Sequence, residues 1–173
     1  MYRMSILTAI CCTAVFAIPM LLGGATPSKT DTQFMKLAAV ANMTGAHLGQ
    51  MAEAQGAQAD VKGLGRTLDS DSTHAYQGLQ ALAGKSGETI PKGIDIRRDK
   101  GVAQLEHLKG KSFDQAFLRE EIQSDKRVIA EFKSETQHGA NADLKAWATS
   151  ELPTLEAHLE TAQNLEKQIQ KSK

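Results

Sequence analysis

The sequence predicts an all-α protein: an up-down four-helix bundle with a long middle crossover that contains a short helix. Three observations carry this expectation. Four long segments place apolar residues alternately three and four apart, the period of one helix face. No stretch alternates apolar and polar residues over strand length with β-branched enrichment. The four segments form two pairs, each joined by only a residue or two, and residues 84–111 separate the pairs.

The first segment runs from about Asp31 to Gln55, with Phe34, Leu37, Ala41, Thr44, Leu48 and Met51 as its inward stripe. Thr30 and Gln33 have capping-box spacing, and Gly56 is a natural stop. The second runs from about Gln58 to Ala83, with Val61, Leu64, Leu68, Ala75, Leu79 and Leu82 inward. The crossover opens on turn-rich residues around Gly87 and Pro91. It then shows a short helical pattern, Val102, Leu105 and Leu108, closed by Gly110.

The third long segment spans about Phe113 to His138. Ser112 and Gln115 suggest its cap, and Phe117, Leu118, Ile122, Val128, Ile129 and Phe132 form its apolar face. Asn141 is a fair N-cap for the fourth, which reaches about Gln170 with Leu144, Trp147, Leu152, Leu155, Leu159, Ala162, Leu165 and Ile169 inward. Pro153 lies inside it, so a kink near Thr149–Ser150 is expected. Gly45, Gly49, Gly63, Gly65 and Gly78 fall within helical segments, which close helix–helix approach explains in a core with 5% aromatic residues. No internal repeat of fixed period is visible. Two tight hairpins around one long crossover make the ferritin-like arrangement.

Residues 1–25 read as a secretory signal. Arg3 precedes an apolar run from Ile6 to Leu22, and Gly23 and Ala25 supply the small positions for cleavage after Ala25. Residues 26–173 then form one domain, with no further segment of spanning length, and the periplasm or cell envelope is the expected location. The leader holds both cysteines, Cys11 and Cys12. Their removal excludes a disulfide framework, a thiolate metal site and a thiol nucleophile in the remainder. Removing Arg3 from the 20 basic residues leaves 19 against 20 acidic ones. A net charge of −1 gives no support to nucleic-acid binding.

Three runs carry a family resemblance: Phe113-Asp114-Gln115-Ala116-Phe117-Leu118, then Leu152-Pro153-Thr154-Leu155-Glu156-Ala157-His158-Leu159, and the opening Phe34 with Leu48-Gly49-Gln50-Met51-Ala52. Together they resemble the DUF4142 family over about Thr32 to Leu165. The resemblance implies exported bacterial proteins with a ferritin-like bundle, labelled outer-membrane or periplasmic, and without an established activity. It also implies inward polar positions where a metal pair could sit. Asp71 and His158 match two of these. Ser72 stands where a His follows the Asp, Asp125 falls on the third-helix His, and Gly45 on the first-helix Glu, with His47 two residues on.

A dinuclear carboxylate site needs a Glu-x-x-His from each of two helices, because residues three apart share a face. Asp71 and His74 have that spacing, but Leu155 precedes His158 at the corresponding distance. The candidate metal ligands are therefore His158, Asp71, Asp125, His47 and His74. As structural residues, His158 is expected to be partly buried and bonded to a carboxylate or a carbonyl, with Asp71 and Asp125 as candidate partners, and His74 to face outward or edge-on. Glu121 and Asp125 share one face of the third helix. No G-x-S-x-G, P-loop or dinucleotide fingerprint occurs. The expected function is a non-catalytic binding or envelope-associated role, with no cofactor and an envelope protein as a candidate partner. The alternative is a metal-binding or redox protein holding a divalent iron, manganese or zinc ion.

Overall fold

The structure, a computed structural model, describes residues 26–95 and 100–171. The expected leader, residues 1–25, lies outside the described residues. Among the described residues there are five helices and no strand: α1 (Lys29–Gln55), α2 (Ala59–Ser86), α3 (Lys100–Leu105), α4 (Gly110–His138) and α5 (Ala142–Lys171). The four long helices span 27 to 30 residues, so each runs about 42 Å at 1.5 Å per residue.

Around the bundle the neighbours are α1–α2, α2–α5, α5–α4 and α4–α1. The short turns at Gly56 and Gly139 make two antiparallel hairpins. The crossover leaves the far end of α2, where Tyr76 Oη donates to Pro91 O at 2.8 Å and Ile90 is buried. It reaches the near end at α3, where Val102 and Leu105 are buried beside Phe113 and Phe117. It therefore travels the length of the bundle, and every pair of neighbouring long helices is antiparallel.

Several boundaries differ from the sequence expectation for physical reasons. Helix α1 starts earlier because Ser28 and Asp31, not Thr30 and Gln33, form the capping box: Asp31 N donates to Ser28 Oγ at 3.1 Å and Ser28 N to Asp31 Oδ2 at 2.7 Å. Helix α2 continues past Gly84 because Gly87, at φ 71°, supplies the left-handed cap and donates to Ala83 O and Gly84 O. Helix α4 begins at Gly110 (φ 61°) after Lys109, so Ser112 is an exposed helical residue and not a cap. Asn141 does cap α5: its Oδ1 accepts from Leu144 N at 2.9 Å. Helix α5 runs unbroken through Pro153. Thr149 and Pro153 both lie on the exposed side, where a carbonyl that loses its N–H partner is open to solvent.

The inner face of α1 is also rotated from the expected stripe. Leu37 is 37% exposed, whereas Met35, Ala38, Ala39 and Ala52 are buried. Small residues occupy this face because α1 and α2 approach closely. A Cβ on Gly65 would lie 2.7 Å from Gly49 O and 2.8 Å from Ala52 Cβ. The glycines at 49 and 65 therefore set the spacing of the first hairpin.

The two hairpins repeat one another, a relation hidden from a scan for short periods because it occurs only once. Asp31, Phe34, Met35, Gly56, Ala57 and Gln58 correspond to Asp114, Phe117, Leu118, Gly139, Ala140 and Asn141, each pair separated by the same interval as 31 and 114. The correspondence has a structural use. Asp114 accepts from Ala57 N and Gln58 N at 3.0 and 3.1 Å. Asp31 accepts from Ala140 N and Asn141 N at 2.9 and 3.2 Å. Each hairpin's first aspartate thus satisfies the free N–H groups of the other hairpin's turn.

The apolar core forms two clusters. One gathers Leu48, Leu64, Leu68, Phe117, Leu118 and Leu165 among others. The second is built on Phe34, Met35, Leu79, Phe132 and Leu144, with Phe34 edge-on to Phe132 at 5.0 Å and Trp147 tilted against Phe132 at 5.4 Å. Between the clusters lies a polar layer: Asn42 on α1, Ser72 on α2, Asp125 on α4 and His158 on α5, all buried.

Candidate functional site

The polar layer divides into an outer groove and an inner cavity. The groove lies between α2 and α5. Small side chains recur along both walls, at Ala59, Gly63 and Thr67 on α2 and at Ala157 and Thr161 on α5. They keep the helix surfaces low where larger residues would interlock, and the two helices leave a trough of about 910 Å³. That volume is typical of small-molecule sites, and a seam between bundle helices is a common place for one. Leu64 and Leu165 give the trough an apolar floor.

His158 and Asp71 close one stretch of the groove. His158 is buried, and its Nε2–H donates to Asp71 Oδ2 at 2.9 Å. The Asp71 side chain is 38% exposed, so the carboxylate stands at the rim while the imidazole sits in the wall. Burial, and then the charge of Asp71, push Glu151 above the usual carboxylate range. Asp60 adds a further acidic group to the lining, and Arg66 pairs with Glu53 at 3.6 Å. The groove therefore combines an apolar floor with an edge that carries Asp60, Asp71 and Arg66.

The inner cavity is much smaller, about 30 Å³, and all four long helices reach it. Asn42, Ser72, Glu121, Ser124 and Asp125 supply its polar wall. Burial, followed by the neighbouring charges of Asp125 and Glu120, pushes Glu121 well above the usual range. Burial raises Asp125 to about 7. Asp125 Oδ2 and Asn42 Nδ2 are buried without a hydrogen-bond partner.

The five sequence-derived candidates do not converge. His158 and Asp71 meet, as expected of one of the two carboxylates named for His158. Asp125 lines the inner cavity instead. His74 faces solvent, with Nδ1 3.0 Å from Ser70 O, and His47 is half-buried with Nε2 unpartnered. Among the described residues no three His, Cys, Asp or Glu side chains gather where one metal ion could bind them all.

The groove-forming residues escaped sequence reasoning because Ala, Gly and Thr carry no chemical signature. Their recurrence four apart at 59, 63 and 67, and at 157 and 161, was the available signal. Asn42 was missed because an amide within an apolar period reads as a gap in the stripe.

Comparison with known proteins bears on the fold and the family. A crystal structure of a DUF305 fragment from Deinococcus radiodurans is similar, with a TM-score of 0.72 and 15% sequence identity over 82% of this chain and 98% of that one. At that identity the likeness concerns the helical fold alone. No curated protein matches the chain. The family described as "Domain of unknown function (DUF4142)" matches residues 21–165. With most of its length matched, including both hairpins and the crossover, the chain belongs to the DUF4142 family.

Proposed function

We propose that this protein is an exported, non-catalytic binding protein of the bacterial periplasm or envelope, and that the groove between α2 and α5 is its binding surface. The observation that carries this reading is the trough of small residues over Leu64 and Leu165, with Asp71 held at its edge by buried His158. An apolar floor beside a fixed carboxylate suits an elongated ligand with an apolar body and a cationic or hydrogen-bond-donating head. Two hairpins joined by a single crossover also support a ferritin-like assignment of the bundle. The apolar run at 6–22 supports export, and among the described residues no helix is long and apolar enough to cross a membrane.

Titration with decylammonium tests the binding reading. Saturable one-site binding is expected, weakened by Asp71→Asn, which removes the charge, and abolished by Ala157→Trp, which fills the trough from an exposed position. Equal binding by wild type and Ala157→Trp would contradict the assignment. The His158–Asp71 pair also keeps a second reading in view, a metal site on a reduced His and carboxylate set. A stoichiometric iron, manganese or zinc ion that is lost in His158→Ala would favour it over the first.

A further inference from the structure

We propose that the inner cavity is a binding site for a small, hard divalent cation, held by the carboxylates of Glu121 and Asp125 with neutral oxygens from Asn42, Ser72 and Ser124. The site is independent of the outer groove and of His158.

Glu121 and Asp125 lie one turn apart on the same face of α4 and are 2% and 5% exposed. No Lys, Arg or His lines the cavity beside them. Buried carboxylates without a cationic neighbour are held by a proton or by a metal ion, and two features favour the ion. First, the wall contains unsatisfied polar groups. Asp125 Oδ2 has no partner, and Asn42, 7% exposed, has an amide whose Nδ2 has none. A half-turn of that amide presents its oxygen. Second, there is room. The cavity of about 30 Å³ accommodates a small ion or a water. Gly45 preserves that space, because a Cβ there would lie 2.6 Å from Ser72 Oγ.

The donor set chooses the class of ion. Every polar donor able to reach an ion here is an oxygen, and no imidazole or thiolate lines the wall. Oxygen donors suit Mg²⁺, Ca²⁺ and Mn²⁺, whereas zinc and copper favour nitrogen and sulfur. One or two carboxylates completed by neutral oxygens is a normal set for Mg²⁺.

Equilibrium dialysis of the purified protein against Mn²⁺, at about pH 8 where carboxylates ionise, tests the proposal. One ion per chain is expected, displaced by excess Mg²⁺ or Ca²⁺. Asp125→Asn and Glu121→Gln are each expected to weaken binding at least about tenfold, the scale seen when even a supporting group is lost from a metal site. His158→Ala should bind as wild type, which separates this site from a metal held in the groove. Both neutralising variants remove a buried charge, so melting at or above the wild-type temperature in metal-free buffer shows that they are folded. Absence of saturable Mn²⁺ binding by the wild-type chain overturns the proposal whatever the variants do. So does binding that His158→Ala abolishes and the two carboxylate variants leave intact.

Discussion

Glu135 shows how a single side chain can tie stability to pH. It is 3% exposed, and burial, then the charge and hydrogen bond of Asp31, raise it to about 7, while Lys145 opposes the rise. Asp31 moves the other way. Burial pushes it up, but N–H donors from Ser28 and Ala140, the Ser28 hydroxyl and the Glu135 carboxyl outweigh that and leave it below its usual value. A neutral Glu135 therefore donates to an ionised Asp31 at the point where α1 meets the second turn. Glu135 binds its proton more tightly in the folded chain, so its contribution is fully present below the unfolded value near 4.5 and is lost as pH rises through about 7. Urea denaturation at a series of pH values should show Glu135→Gln losing about 2 kcal/mol less stability over that window than the wild type, whose remaining fall belongs to buried Glu121 and Asp125. Glu135→Gln keeps a donor toward Asp31 and removes only the Glu135 share of the fall. An unchanged slope in that variant would show that the dependence arises elsewhere.

The elements make two further predictions. Gly49→Ala places a methyl against α2 backbone at Gly65 and Asp69, so it should cost about 2 kcal/mol or more through forced separation of the hairpin. Gly84→Ala meets nothing within 4 Å on an exposed turn of α2 and should stabilise by about 0.5–1 kcal/mol. Thermal melts of the two variants, shifted in opposite directions, check both. Reciprocal capping predicts a specific exchange pattern as well. Asp114→Ala should speed hydrogen exchange at Ala57 and Gln58, and Asp31→Ala at Ala140 and Asn141, each leaving the other turn protected. Acceleration at both turns in either variant would mean that the latches are not separate.

These elements also mark what was legible in the sequence. Helix number, hairpin pairing, the crossover and the Asn141 cap follow from periodicity and turn residues, which act locally. The face of α1 does not, because a close approach to α2 selects Ala and Gly, and apolar size then ceases to mark burial: Leu37 is exposed while Ala38 is buried. At the candidate site, the pairing of His158 with Asp71 was accessible from the need of a buried histidine for a partner. The groove was not, since it is made by what small residues omit.

Across the whole molecule, a repeated hairpin forms the frame, and a layer of buried polar residues lies between its two apolar clusters. The frame is nearly symmetric, but the layer is not. Asn42 and Asp125 occupy equivalent positions in the two hairpins and differ in charge, while Ala75 stands at the position equivalent to His158.

A map of amide chemical-shift changes on addition of decylammonium tests whether the α2–α5 groove is the binding surface. Shifts concentrated at Gly63, Thr67, Asp71, Ala157 and Thr161, and absent from the Ala157→Trp variant, are predicted. Shifts centred instead on the exposed Leu37 and Val40 of α1, with the groove unmoved, would contradict it.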